Sequence, residues 1–445
     1  MRKLITHFYY RYIKRDKTLD LYDFLNTSQY MPEIQLKQYQ LDSFQKIWLH
    51  AVENVPYYSE IAKKHKLGKC DIKTLNDFVK IPLLTKEIVR KEFGKMVAKN
   101  LDKKRFVANS TSGSTGSNFH FFIDSAKKSF YQALEMRKYE MMGASIYDRE
   151  LSIWGAAFDI EKSKKRKFAV IKDWIKNKKV VSGYNLSDEG IREIYRTMKS
   201  YRPLIIKSYP SILMTICHYF NTHGLIYRPK AIHIGGEKLF GFQRKEIERT
   251  FGCPVYDFYA ARDMKQIASN CEEKNGLHVF MENVILEVLN EEGIPIEEGE
   301  GDIVVTDLHN YVMPFIRYRI GDRAKISKKN KCKCGRNLQL VNEIIGRRFE
   351  IIEFPNGNRV GGTFWTLVMK AFPGIKDFQI IQQDKSHIIV NYVPEDLNPI
   401  SKFDNIVKQI HKYSGESLVI DFHKMEKIPL SKAGKMQFVI KIGME

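Results

Sequence analysis

The 445-residue sequence contains no run of eighteen apolar residues, so no membrane-spanning helix is expected. Cysteine is scarce. Cys70, Cys217, Cys253, Cys271, Cys332 and Cys334 are the full set, too sparse for a disulfide framework, which points to a reducing, cytoplasmic setting. The opening stretch "MRKLITHFYYRYIKRDK" has no unbroken apolar core and no small-residue cleavage site, so it does not read as a secretory signal. Its mixed aromatic and basic character fits either a solvated first helix or a segment lying on the inner face of a membrane. There is no internal repeat and, apart from one lysine-rich stretch, no low-complexity segment.

Acidic residues are in deficit: 52 against 73 lysines and arginines, for a net charge of +21. Much of the surplus is local, because "EKSKKRKFAVIKDWIKNKK" at Glu161–Lys179 sets nine basic residues against Glu161 and Asp173. A field of that kind attracts anions: nucleic acid, acidic lipid, an acidic glycan or a phosphorylated carrier. A solvated helix face and loop explain the same charge equally well. No recognisable nucleic-acid module or basic stripe with interleaved aromatics accompanies it, which argues against nucleic acid as the partner.

The first hundred or so residues read as helical; "LDSFQKIWLHAVENV" has helical apolar spacing and stops at "PYY". From Arg105 short apolar runs alternate with helical patterns. "FHFFI" (Phe119–Ile123), "ELSIW" (Glu150–Trp154), "PLIIKSY" (Pro203–Tyr209) and "AIHIGG" (Ala231–Gly236) read as strands. Ala126–Met142, "SILMTICHYF" and "FQRKEIERTF" read as helices. This alternation predicts an α/β sheet, with ligands at the carboxyl ends of its strands. From about Leu277 the pattern turns β-rich ("HVFMENVILEVL", "GDIVVTDL", "FIRYRIG"). A smaller α+β unit follows a linker near "EIIGRRFE". The expected fold class is therefore α/β: a large multi-sheet domain over residues 1–346, helical to about residue 104, and a small α+β domain over 347–445.

No lysine follows the glycines of "STSGSTGSNFH" at Ser110–His120, so the common nucleotide loop is absent. What is present is a set of hydroxyl donors, Ser110, Thr111, Ser112, Ser114 and Thr115, among Gly113 and Gly116. Glycines let backbone N–H groups approach oxygen atoms, and hydroxyls donate to phosphate. On chemistry alone a phosphate loop and a structural turn are equally good accounts. A second cluster is metal-like. Cys271 and His278 in "NCEEKNGLHV" and Cys332 and Cys334 in "KCKCGR" make a Cys₃His set suited to tetrahedral structural Zn²⁺, with free thiols as the alternative.

The "TSGSTG" stretch resembles the signature loop of the adenylate-forming superfamily. Further pieces occur in that family's order: "GGE" at Gly235–Glu237, "YDFYAARDM" at Tyr256–Met264, "YRIGDRA" at Tyr318–Ala324, "GRR" at Gly346–Arg348 and "PLSKAGKMQ" at Pro429–Gln437. The details resemble phenylacetate–CoA ligases and CapK-like capsular-polysaccharide proteins, from about Tyr57 to Lys435. The resemblance implies an ATP-dependent, AMP-forming ligase. It would activate a carboxylic acid and pass it to coenzyme A or to an amine, such as one on a sugar, with a place in surface-polysaccharide synthesis.

By the same resemblance, Ser110–Gly116 would wrap the phosphates and Gly235, Gly236 and Glu237 would flank the adenine and acid. Tyr259 would lie on the adenine, Asp322 would bond the ribose hydroxyls, and Arg347 would contact ribose or phosphate. Lys435 would bridge α-phosphate and carboxylate. Asp263 stands where the family carries glutamate, to help hold Mg²⁺, and Phe349–Glu350 replaces the usual hinge aspartate or lysine. The acid pocket is expected around Trp154, Tyr209 and the Ile234–Glu237 strand end. A degenerate relative without turnover, a basic zinc-containing nucleic-acid binder, a homodimer and a peripheral membrane or glycan contact are the remaining alternatives.

Overall fold

The computed structural model describes residues 9–14, 16–68, 71–112, 118–154, 177–183, 186–328, 331–347, 352–360, 364–365, 368–369, 374–394, 403–429 and 439–442. Helices dominate the first part, at Thr18–Ser28, Glu33–Asn54 and Pro56–Lys64. The long helix does stop before "PYY", but only for one residue. Val55 is extended, and Pro56 starts a new helix at its first position, where the missing N–H is not needed. Leu36, Phe44, Ile47, Trp48 and Ala51 form the buried stripe of the Glu33–Asn54 helix. It packs into the same core as the antiparallel sheet Val284–Leu289, Gly299–Asp307, Tyr318–Ile326 and Glu343–Arg347.

An eight-stranded sheet forms the second layer. Its order is Leu340–Val341, Leu277–Val279, Lys265–Ser269, Val255–Ala261, Ala231–Gly235, Ile205–Ser208, Glu150–Ile153, Lys178–Val181. The last five run parallel and the rest are antiparallel. One face carries Leu151, Ile153, Ile206, Ile232, Ile234 and Val255. It is covered by helices Asp188–Tyr201, Pro210–Thr222 and Gly241–Phe251. The other face packs on the Lys128–Met141 helix through Tyr139 and its neighbours. The expected strands at Glu150–Trp154, Pro203–Tyr209 and Ala231–Gly236 are present, trimmed by a residue or two at their ends, and that at Phe119–Ile123 is longer by one residue at each end.

The hairpin Phe106–Ser112 with Asn118–Asp124 encloses the hydroxyl-rich stretch. A separate four-stranded sheet, Val419–Lys424, His387–Pro394, Ile375–Asp384 and Val439–Lys441, combines with the Phe403–Ser414 helix around its own core. This is the smaller α+β unit. It touches the larger one through aromatic rings: Phe240 lies 6.0 Å from Phe364, and Phe242 5.9 Å from Tyr413. No helix among the described residues is long and apolar enough to cross a membrane.

Lys178 departs from the expectation of a solvated basic patch. It sits in a strand and is ion-paired with Glu135 at 2.8 Å and Glu150 at 3.5 Å. The stretch 155–176 lies outside the described residues, as do Cys70, Lys432 and Phe349.

Candidate active site at the strand ends

The ordered motifs converge. Tyr259 is buried in the Val255–Ala261 strand, and its hydroxyl donates to Asp322 Oδ2 at 2.7 Å. That one bond joins two motifs 63 residues apart in the chain. Asp322 itself is half-buried on the Tyr318–Ile326 strand and is the register partner of Arg347. Arg262 donates to the Ser110 carbonyl at 2.9 Å, fastening the hydroxyl-rich hairpin to the same strand end. Lys238, next to Glu237, pairs with Glu343 at 2.7 Å and donates to the Ile345 carbonyl at 3.3 Å. Thr111 and Ser112 end the first hairpin strand opposite Phe119 and Asn118. Gly113, Ser114, Thr115, Gly116 and Lys435 lie outside the described residues.

Asp263 is 3% exposed. Its Oδ2 accepts from the Tyr318 hydroxyl at 2.7 Å and its Oδ1 from the Met264 N–H at 3.2 Å. Burial, with the Asp263 charge behind it, pushes the Tyr318 phenol well above its ordinary range. Tyr318 therefore stays protonated and serves Asp263 as a donor. Each carboxylate oxygen has a further lone pair, and Mg²⁺ commonly takes one or two carboxylates plus substrate phosphates. The residue fits that ion despite being one methylene shorter than glutamate.

Gly236 shapes the other side. Its φ is +84°, and a Cβ there would sit 2.6 Å from Tyr209 Cε1 and 3.4 Å from Trp154. Only glycine fits such a position without displacing an aromatic ring. Trp154 and Tyr209 are stacked, centroids 3.9 Å apart. Gly235 faces the Phe258 carbonyl, where a Cβ would come within 3.2 Å. Glu237 is half-buried just beyond. The two rings and the glycine edge make a wall at the carboxyl ends of parallel strands, where ligands of such sheets sit.

The four metal-type ligands also meet. The ligand atoms of Cys271, His278, Cys332 and Cys334 all lie within 4.8 Å of one another. Cys271 Sγ is 3.5 Å from Cys332 Sγ, and Cys334 Sγ is 3.4 Å from His278 Nε2. Zn–S bonds of about 2.3 Å and Zn–N of about 2.0 Å at tetrahedral angles give ligand spacings of about 3.4–3.8 Å, so the donor set fits that metal. Burial pushes His278 down to about 4, leaving the neutral imidazole a metal needs. Burial opposes the Cys334 thiolate, but hydrogen bonds from Arg336, Cys332 and Cys271 together outweigh it and hold the thiol below its ordinary range. Arg336 also pairs with Glu272 at 2.9 Å and donates to Gln29 Oε1 at 2.8 Å. The cluster thus ties the sheet edge to the end of the Thr18–Ser28 helix.

Three residues that no motif marks lie nearby: Lys207, with its Nζ 5.4 Å from the Trp154 centroid, His233, its register partner, and Lys138, with its Nζ 4.3 Å from the Phe258 centroid. A signal was present: each interrupts an apolar strand or helix face with a nitrogen-bearing side chain.

Residues 352–442 match the family model for the CapK C-terminal domain. The chain is 26% identical to protein CapK of Staphylococcus aureus over 457 residues, 99% of this chain and 94% of that one. It is 22% identical to the phenylacetate-coenzyme A ligase of Aromatoleum evansii, over 82% of each chain. Among solved structures, 2-hydroxyisobutyryl-CoA ligase in the postadenylation state with 2-HIB-AMP aligns with a TM-score of 0.69. That alignment is 18% identical and covers 93% of this chain and 91% of the other. The fold is that of the adenylate-forming CoA ligases, and the chain resembles CapK and phenylacetate–CoA ligases over most of its length.

Proposed function

We propose that this chain is an AMP-forming ligase that activates a carboxylic acid with ATP and hands the acyl group to a thiol or amine. The Tyr259–Asp322 bond carries the reading, because it unites two family-like motifs at the point where the adenosine would lie. A carboxylate acylates poorly because oxide is a bad leaving group. Attack of a carboxylate oxygen on the α-phosphorus of ATP forms an acyl-adenylate and breaks the bond to pyrophosphate. The thiol or amine then attacks the acyl carbon, loses its proton, and AMP departs.

Each part has a task in this scheme. Asp322 accepts from both ribose hydroxyls, a job a carboxylate does well, with Tyr259 holding it in place and Arg347 opposite on the next strand. The Ser110–Gly116 stretch would hold the outer phosphates by N–H and hydroxyl donors. Asp263 would hold Mg²⁺, which neutralises phosphate charge when bound. Trp154, Tyr209 and the Gly235–Glu237 edge would seat the acid. Lys435 would reach both anions as they meet. The large unit, 1–346, would bind the reactants and the small unit, 347–445, would supply Lys435 by moving. Coenzyme A is the favoured acceptor, since the ligases this chain is similar to form CoA thioesters; an amine acceptor and a polysaccharide role remain the finer alternatives.

Pyrophosphate release across aryl, aliphatic, amino and uronic acids tests the reading. At least one acid is expected to stimulate release over the acid-free rate by tenfold or more. ATP binding without release by any acid would leave the degenerate alternative in its place.

The Cys271–His278–Cys332–Cys334 cluster has no part in these steps; we assign it to structural zinc. Elemental analysis of the purified protein should give about one zinc per chain. Cys332→Ser should lose it and lower the thermal midpoint by several degrees, with the KM for ATP little changed. A metal-free protein of unchanged midpoint would refute the assignment.

A further inference from the structure

Parallel strands buried on both faces are normally apolar on both. The face of the large sheet under the Lys128–Met141 helix breaks this rule. Across its parallel strands the register aligns Ser152 with Lys207 and Lys207 with His233. Two residues back, Glu150 stands opposite Lys178. The helix adds Glu135 and Lys138 from above. The opposite face of the same strands is filled by isoleucine, leucine and valine.

Two of these groups are deeply buried. His233 is 0% exposed, and neither of its ring nitrogens has a hydrogen-bond partner among the described residues. Burial, reinforced by Lys138 and Lys207, holds its imidazole neutral. Lys138 is 1% exposed. Its ammonium rests on rings, 4.3 Å from the Phe258 centroid and 5.5 Å from that of Tyr139. Lys207 is half-buried, with its Nζ 5.4 Å from the centroid of Trp154, the ring already placed at the mouth of the acid site. Lys178 takes up both carboxylates, Glu135 and Glu150. Three lysine nitrogens thus face two carboxylates, with Lys207 on the side of Trp154. Burial pushes Lys138 down to about 7, in part opposed by Glu135. An unpartnered buried polar group costs about 1–3 kcal/mol and more if charged, so the unpaired His233 ring beside these lysines calls for a ligand.

We infer that the acid substrate is hydrophilic at its far end, carrying oxygen acceptors (a second carboxylate or several hydroxyls) that Lys207, His233 and Lys138 receive. This deepens the ligase reading and rests on it for the position of the reacting carboxylate. An aryl or plain alkyl acid would leave these nitrogens unpaired and is rejected, because a site built to hydrogen-bond discriminates strongly against analogues lacking the group.

The test uses acids of one skeleton: butyrate, 4-hydroxybutyrate and succinate, with galacturonate and phenylacetate beside them. In pyrophosphate release, at least one oxygenated acid is expected to exceed butyrate and phenylacetate by tenfold or more in kcat/KM. Succinate against 4-hydroxybutyrate separates charge from hydroxyl recognition. Lys207→Met and His233→Leu should each raise the KM for the preferred acid at least tenfold, leave that for ATP within twofold, and shift preference toward butyrate. Misfolding would produce none of that selectivity change. Preference for butyrate or phenylacetate in the unaltered protein overturns the inference while leaving the ligase reading intact. So does an oxygenated-acid preference that survives both substitutions. If no acid releases pyrophosphate, calorimetric titration with the same acids beside AMP decides. Binding of an oxygenated acid that Lys207→Met abolishes upholds the inference without the ligase reading, and absence of such binding ends it.

Discussion

Lys435→Ala should reduce acid-dependent pyrophosphate release by about 10²–10³-fold, the usual loss when one donor to developing transition-state charge is removed. Carboxylate and triphosphate are both anions, and one ammonium touching both offsets their repulsion most where they are closest, in the transition state. The binding of ATP alone should therefore change little. In the second step no such meeting of anions occurs, because a thiol attacks an already neutral acyl carbon. Acyl transfer from a supplied acyl-adenylate should accordingly survive. The check is a pair of measurements, pyrophosphate release and acyl transfer from preformed adenylate, on one preparation. Equal loss in both would remove Lys435 from the role given to it and move attention to Lys432, three residues earlier in the same motif.

A large effect on stability is expected at Glu282. This carboxylate and the Arg137 guanidinium are each fully buried, and they pair through two bonds of 2.7 and 3.1 Å. Arg137 also donates to the Leu25 carbonyl at 3.1 Å and lies over the Phe280 ring, 4.9 Å from its centroid. The Ser28 hydroxyl donates to the same carboxylate. Three separate pieces of chain, the Thr18–Ser28 helix, the Lys128–Met141 helix and the turn after His278, meet at this pair. Glu282→Ala would strand a buried cation, at about 3–5 kcal/mol. Replacing both partners, Arg137→Met with Glu282→Leu, removes the stranded charge along with the attraction and should cost far less. Urea unfolding followed by tryptophan fluorescence compares them. A single variant within about 1 kcal/mol of the parent would mean that water reaches Arg137.

The parts of this molecule that could be read from its residues are those governed by short-range rules. Strands such as Ile205–Ser208 and Ala231–Gly235 announce themselves by apolar runs ending in small or turn residues. The Tyr259, Asp322 and Gly235–Glu237 motifs were found by their order, and the structure brings the described ones together. The Cys271–Cys334 cluster was legible because few residue types bind soft metals and all four lay in two short segments. Other features were not legible because they depend on which strand lies beside which. Lys178 reads as one more lysine of a solvated patch, because nothing local shows that its strand runs parallel to that of Glu150. His233 and Lys207 are single polar letters in apolar words. Their meaning comes from being neighbours across a ladder, a relation between residues 26 positions apart that no local pattern encodes. Arg137 and Glu282 are likewise ordinary charges until three distant segments close over them.

The loop after Gly236 has two masters. Within a few residues it passes from the wall against Tyr209 to Phe240, whose ring meets Phe364 of the smaller unit. The wall and the seat of the smaller unit therefore share one short segment of chain. A side chain added at Gly236 would displace Tyr209 and strain the chain that leads to the Phe240–Phe364 contact, so one substitution there would disturb both the wall and the seam between the two units.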